Sequence, residues 1–349
     1  FTDVKIPAEN LLWEEGRGLA LALSTINVGR LTLPAACTGA AKQCLAISRI
    51  WGSERIQWGM PIGLHEAGRE KIAYIAATTL AMEAITWLTS SWADKKNVDI
   101  RIEAAMAKLF CTESLWKIVD MTMQLRGGRG YEKGRSLKAR GEPAYPVERI
   151  MRDCRINLIL EGSSEIMRLF LAREAIDPHL KLAGDLLNPK APFKQKLKAF
   201  WKMMKFYSLW YPKQVFGGSS SYKELGKLEK HFKFVERNAH KLSKALFHAM
   251  GKYRQHLERK QMILGRLMDI GTDLFAMAAV CAYAASQAKK NENSLDMADF
   301  FCDLARRRID ERFDALSNND DKKADAVAKK VIENEFTWME EGVTPVSKT

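Results

Sequence analysis

The stretch from Tyr145 to Arg173, YPVERIMRDCRINLILEGSSEIMRLFLAR, constrains this chain more than any other. Pro146 suits the first position of a helix because its φ is already fixed. Ile150, Met151, Cys154, Leu158 and Ile159 then recur at helical spacing and define one apolar face. A second helix is expected from Ser163 or Ser164, since serine caps helices, with Ile166, Leu169 and Phe170 as its buried face. Between the two lies Leu160-Glu161-Gly162, a carboxylate preceded by apolar residues and followed by a glycine that lets the backbone turn. The residues alone leave two readings open. In one, Glu161 sits in an apolar surround, has a raised pKa and accepts a proton. In the other it is a surface carboxylate near a helix start, favoured by the helix dipole.

The helical period extends through most of the chain, and no stretch is rich in strand signals, so the expected fold class is all-α. Residues 17–52 read as one long helix with Leu19, Leu23, Ile26, Leu33, Ala36, Ala40, Cys44 and Ile47 on its apolar side and Pro34 as a bend. Gly29 inside it lowers helix propensity, which suggests that something approaches closely there. Further helices are expected at 64–93 and 100–125, separated by a polar turn at Asp94 to Asp99, and Glu132 to Ala144 reads as a charged loop. Beyond it the pattern gives helices at 222–257, 260–288, 294–317 and 320–338, with Ser294 as a cap and Asn318-Asn319 as a break. Asn188-Pro189 and Gly217 to Ser221 are linker-like punctuation. The expected division is therefore a helical unit at 1–185, a linker at 186–221 and a helical bundle at 222–349. The longest apolar run, Leu274 to Ala285, is too short to span a bilayer.

The six cysteines form no CxxC pair and mostly fall within apolar helical patterns, so they are expected to be reduced core residues in a reducing, cytoplasmic compartment. His240, His248 and His256 recur without acidic or thiol company and read as a solvated face, so no metal site is expected. The net charge of +13 is concentrated: residues 191–260 hold 17 Lys+Arg against 4 Asp+Glu, the whole excess. Within that region Leu197, Phe200, Trp201, Met204 and Tyr207 share one helical face, and Lys194, Lys198, Lys202 and Lys205 another. Residues 194–211 thus read as a basic amphipathic helix suited to an anionic membrane surface, peripheral at the inner membrane. The alternative is a helix docked on the body by that apolar face. No RRM, KH or other nucleic-acid module accompanies the lysines, and no nucleic-acid partner is expected.

Glu148-Arg149-Ile150-Met151-Arg152-Asp153, followed by Arg155-Ile156 and Glu161-Gly162-Ser163, resembles the signature of the flavin-dependent acyl-CoA dehydrogenases. Three further motifs occur in the family's order. FTDVKIP at the start resembles its passage from the middle β-domain into the C-terminal helical domain. WGSERIQWGMPI is similar to its Arg-x-x-Phe-Gly segment, with Trp58 in place of Phe. Gln124-Leu125-Arg126-Gly127-Gly128-Arg129-Gly130-Tyr131 is similar to its Gln-x-x-Gly-Gly-x-Gly segment. The resemblance is strong over 1–185 and, with the long loop and the later bundle, points to the larger bacterial members related to the very-long-chain type.

The resemblance implies α,β-dehydrogenation of a fatty acyl-CoA with FAD, Glu161 being the catalytic base. Asn27, Arg30 and Gly162 would contact the acyl-CoA. Arg55, Gln57, Gln124, Leu125, Arg126, Gly127 and Gly128 would meet the flavin's ADP half across a dimer interface, and His65 and Glu66 would also contact the flavin. Ser163, Ser164 and Glu165 would meet the flavin at a helix start, where exposed N–H groups favour its oxygens. Some relatives keep the base one residue before the Arg; here that position is Gly29, so Glu161 has no competitor. An electron-transferring flavoprotein is the implied electron acceptor, and the family's N-terminal helical and β domains are expected to be absent from this chain. A reading of another class, a non-catalytic dimerisation or membrane-docking module, stands beside the enzymatic one.

Overall fold

The computed structural model describes residues 1–95, 98–188, 190–217 and 220–343, without the side chains of Asn27, Asp185 and Leu187. The contact expected of the Asn27 side chain, and the linker residues Pro189, Gly218 and Ser219, lie outside the described residues. The chain is built of helices: α1 (Gly18–Glu54), α2 (Glu66–Ala93), α3 (Arg101–Arg126), the short α4 (Gly128–Tyr131) and α5 (Gly134–Ala139), α6 (Val147–Arg155), α7 (Ser164–Leu187), α8 (Phe193–Phe216), α9 (Glu229–Tyr253), α10 (Gln261–Gln287), α11 (Ser294–Asp314) and α12 (Asp321–Ile332). Among the described residues the only strands are Ile56–Gln57 and Met60–Pro61, paired antiparallel around Trp58-Gly59. Both turn residues have positive φ, as a two-residue hairpin turn requires.

Helix α10 is the axis of the molecule. Leu267, Ile270, Leu274, Met277, Cys281 and Ala284 repeat every three or four residues and are buried. Its several apolar flanks are covered by α2, α3, α7, α9 and α11. One apolar core joins Cys37, Ile75, Ile85 and Ile118 from α1–α3 to Val280, Phe301 and Ile309 from α10 and α11. It is therefore continuous from the first helical unit into the last. Charged groups cross the same seam. Arg168 of α7 donates to Asp269 of α10 at 2.8 Å, and the nearly buried Asp273 accepts from Arg308 at 2.7 Å and from Arg312.

Several expectations are corrected. The inner face of α7 is Met167, Leu171 and Ala172, whereas Ile166 is exposed. On α1 the buried stripe runs through Cys37, Ala41, Cys44 and Ile47, while Leu19, Leu23 and Ala36 face outward. The charged loop contains α5, with the ion pairs Arg129–Glu142 and Arg140–Glu132 holding its two ends. Of the three histidines His248 and His256 are exposed, while His240 is half-buried; His240 hydrogen-bonds Gln214 at 2.7 Å and His248 hydrogen-bonds Tyr211 at 3.0 Å, both partners on α8. The last helix is shorter than read and carries no buried residue. By length and composition α1, α2 and α10 could each cross a membrane. The apolar window of α2 is half buried, and that of α10 two-thirds buried, within the bundle. All six cysteines are buried and unpaired by disulfide.

The basic helix α8 does not dock on the body by the apolar face that the alternative reading gave it. It lies on α7 and α9 through Ala199, Met203, Tyr207, Trp210 and Gln214. Tyr207 packs on Phe247 and hydrogen-bonds His179 Nδ1 at 2.8 Å. The stripe Phe193, Leu197, Phe200, Trp201 and Met204 is left exposed.

Candidate functional site

The Glu161 turn is held by the cap that follows it and by contacts with Lys108, Met167 and α1. Ser163 caps α7, its Oγ accepting from the Ile166 N–H at 3.5 Å, and this ends the turn on the C-terminal side. Glu161 and Gly162 both have positive φ, 57° and 101°. Gly162 takes this region freely, whereas a glutamate there must be held by its surroundings. One restraint is Lys108 of α3, whose Nζ donates to the Gly162 carbonyl at 2.8 Å. Another is space: Met167 Sδ lies so close to Gly162 that a β-carbon there would approach it to 2.8 Å.

The third contact is with α1. The Glu161 side chain crosses the helix at Gly29, where its carboxylate occupies the room a β-carbon would need. Glycine at position 29 is thus the seat of the carboxylate, which is the close approach its presence in a helix suggested. The neighbouring Arg30 stacks on Phe170 of α7, 4.6 Å from the ring centre. Burial lowers the Arg30 pKa, and the Glu161 carboxylate acts the other way. Glu161 itself is exposed, as are Ile159 and Leu160. The apolar surround expected of it is therefore not supplied by this chain, because those two side chains point away from the core. Ser164 is buried, and Glu165 is exposed at the first turn of α7. The Glu165 carboxyl is held below its ordinary range, first by its own backbone N–H and then by Ser163.

A second cluster forms at the far ends of α1 and α3. Trp51 donates its indole N–H to the Leu125 carbonyl at 3.2 Å, tying the two helix ends together. Arg126 is buried between the rings of Trp51 and Tyr145, at 4.6 and 4.8 Å, and its Nε and Nη1 have no hydrogen-bond partner. Burial lowers its pKa. Arg55 and Arg129 stand 5.9 Å from the same indole. Gly127, at φ +62°, and Gly128 have open space beside them, and Gln124 is exposed next to them. The hairpin brings Gln57 alongside: its carbonyl hydrogen-bonds His65 Nε2 at 3.0 Å, and Glu66 opens α2 in the open.

Most of the sequence-identified residues therefore fall into two groups, one around Glu161 and one around Trp51. On α1, Gly29 and Arg55 are 26 residues apart, which is about 39 Å at 1.5 Å per residue. Lys108 was missed by the sequence reading. Its signal was its register: it stands in line with Ala104, Cys111 and Leu115, all buried, so a lysine occupies a core position. Gly29 signalled a close approach but not that Glu161 makes it, and the burial of Arg126 left no local signal.

Residues 16–176 match the family described as acyl-CoA dehydrogenase, C-terminal domain, and residues 226–337 match ACAD9/ACADV, C-terminal domain. The probable acyl-CoA dehydrogenase FadE10 of Mycobacterium bovis is 48% identical over 352 residues, covering 99% of this chain and 54% of that protein. The chain belongs to the acyl-CoA dehydrogenase family. Within the family it is also similar to the mitochondrial very long-chain specific acyl-CoA dehydrogenase of Bos taurus, at 29% identity over 91% of this chain and 48% of that one. Its fold is that of the acyl-CoA dehydrogenase from Bacillus anthracis complexed with FAD, with a TM-score of 0.68 and 24% identity over 98% of this chain and 56% of that one. The chain spans about half the length of the curated relatives it matches.

Proposed function

We propose that this chain carries the base and part of the flavin site of an FAD-dependent fatty acyl-CoA dehydrogenase, with Glu161 accepting the substrate's α-proton. The observation that carries the reading is the Glu161 carboxylate laid on Gly29, beside Arg30, at an open edge of the bundle. A thioester acidifies its α-proton, and a positioned carboxylate can take it on one oxygen. The Glu161 carboxylate in turn favours the charged form of Arg30, so that cation stays beside it. The Gly162 N–H is proposed to donate to the thioester oxygen, where negative charge develops as the proton leaves. FAD, when bound, supplies the acceptor for the hydride that departs from the β-carbon.

The residues present fit such a group. The orphaned guanidinium atoms of Arg126, the neighbouring Arg55 and Arg129, and the open backbone at Gly127-Gly128 suit a diphosphate. Arg55, Gln57, His65, Glu66, Gln124, Leu125, Arg126, Gly127 and Gly128 would hold the ADP half, and Ser163, Ser164 and Glu165 the flavin end. The ~39 Å along α1 between the two groups is longer than one dinucleotide can bridge. Each chain would then serve two flavins, its own through the Glu161 end and a partner's through the Trp51 end. This supports a homodimer. An electron-transferring flavoprotein is proposed as the electron acceptor, and a cytoplasmic enzyme peripheral to the inner membrane as its setting.

The test is Glu161→Gln in the intact FAD-loaded enzyme. Fold and flavin content are expected to persist, while flavin reduction by a saturated acyl-CoA falls by at least ~10³-fold, since positioning and proton transfer both fail. Reduction at the wild-type rate would remove the assignment. The reading as a non-catalytic docking module is favoured only by the exposed stripe of α8, which an enzyme can carry equally well.

A further inference from the structure

Lys108 is among the largest fully buried side chains of the described residues. It lies mid-helix on α3 among Ala104, Ala105, Ala107 and Cys111. A lysine so placed is costly unless its ammonium is matched by a partner. Its hydrogen bond goes to the carbonyl of Gly162, the residue after Glu161, and not to a carboxylate.

The charged and titratable groups that face it are few. Cys37 and Arg30 come from α1, Glu113 from α3 itself, and Glu161 from the turn. The Cys37 thiol is pushed up to about 11, chiefly by burial, so it is neutral near pH 7. Glu113 is drawn towards Arg168, 3.8 Å away. The anion left to balance Lys108 and Arg30 is Glu161. Burial lowers the Lys108 pKa, while Cys37, Glu161 and Glu113 act in the opposite direction.

We propose that Lys108 is a positioning residue for the proton acceptor: by holding the Gly162 carbonyl it fixes the left-handed turn at Glu161-Gly162, and with it the line on which the Glu161 carboxylate crosses Gly29. The ammonium also places a positive charge near that carboxylate from the buried side. This rests on Glu161 being the base. Ser163 holds the turn only after Gly162, and nothing else described donates to the Gly162 carbonyl. Without Lys108 the two positive-φ residues are free to relax, since a glutamate at φ +57° returns to ordinary backbone when unrestrained.

The experiment compares Lys108→Met, Lys108→Arg and Glu161→Gln in the intact FAD-loaded enzyme. It follows flavin reduction by a saturated acyl-CoA against pH, equilibrium binding of a non-reducible acyl-CoA thioether, and the crystal structure of the turn. Lys108→Met is expected to bind the thioether as wild type does, while reduction slows by ~10²-fold, the cost of a base displaced by about an ångström. Its pH profile is expected to change with the loss of the Lys108 ammonium, whose pKa burial lowers. The Gly162 carbonyl is expected to be turned away from α3. Lys108→Arg, which keeps charge and donors, recovers at least ~tenfold of the loss. If Lys108→Met does not fold, Lys108→Gln carries the same comparison. Wild-type rate and pH profile in Lys108→Met, with Glu161→Gln inactive, would overturn this inference alone. Normal reduction in Glu161→Gln would overturn it together with the base assignment.

Discussion

A β-carbon on Gly29 would stand 2.6 Å from Oε1 of Glu161 and closer still to Oε2. These two residues, far apart in sequence, form one feature: a carboxylate resting on bare helix backbone. The displaced group would be the end of a flexible side chain rather than packed core. The helix can therefore accept alanine, and it is Glu161 that must move.

Gly29→Ala accordingly separates stability from catalysis. Alanine inside a helix is favoured over glycine by roughly 0.5–1 kcal/mol, so the melting temperature is expected to hold or rise. Flavin reduction by acyl-CoA is expected to fall by ~10²-fold, because the base is pushed off its seat. Calorimetry and stopped-flow reduction on the same preparation check both halves, and a variant with full activity would show that the carboxylate works from elsewhere.

The second prediction concerns acid. His231 is buried and hydrogen-bonds Asp299 at 2.8 Å, linking α9 to α11. Its pKa is lowered, first by burial, with the Asp299 hydrogen bond acting the other way. Below about pH 6.5 the unfolded chain takes up a proton at this histidine that the folded chain resists. Stability is therefore full above that pH and falls below it, by up to roughly 1.4 kcal/mol per pH unit until the folded group also titrates. Asp299 is subject to burial, which alone would raise its pKa, but hydrogen bonds from Lys230 and His231 outweigh this and lower it. Its contribution is present above the ordinary aspartate range and is lost at more acid pH, so the histidine acts first. Urea unfolding at a series of pH values should show the slope in wild type and a flatter line in His231→Gln. Equal slopes would place the acid sensitivity elsewhere.

The third prediction concerns α8. Its docked face is Ala199, Met203, Tyr207, Trp210 and Gln214, so the exposed Phe193, Leu197, Phe200, Trp201 and Met204 are left to meet something else. Lys194, Lys198, Lys202 and Lys205 flank that stripe. Such a helix suits the plane of an anionic membrane, each lysine near the surface contributing roughly 1 kcal/mol at moderate salt. Co-sedimentation with anionic vesicles, weakened by high salt and lost in the Lys198, Lys202 and Lys205→Glu variant, is the expected result. Equal sedimentation of wild type and variant would end the proposal.

Much of the fold was legible from local chemistry. The 3.6-residue period marks where α1, α2, α3, α10 and α11 run, Ser163 marks the start of α7, and Gly127 the end of α3, because caps and periodicity act within a few residues. The wording around Glu161 marked the candidate base. The tertiary structure decided what covers each face. Periodicity put Ile166 inward on α7 and left open whether Leu197 and Trp201 of α8 meet the body or a membrane; all three are exposed, since two stripes of similar apolarity compete and only the neighbouring helices choose between them. Lys108 and Arg126 went inside for a related reason. A charged side chain reads as surface by its type, even at the core register that Lys108 holds, and only a carbonyl arriving from Gly162, or two rings arriving from Trp51 and Tyr145, makes its burial tolerable.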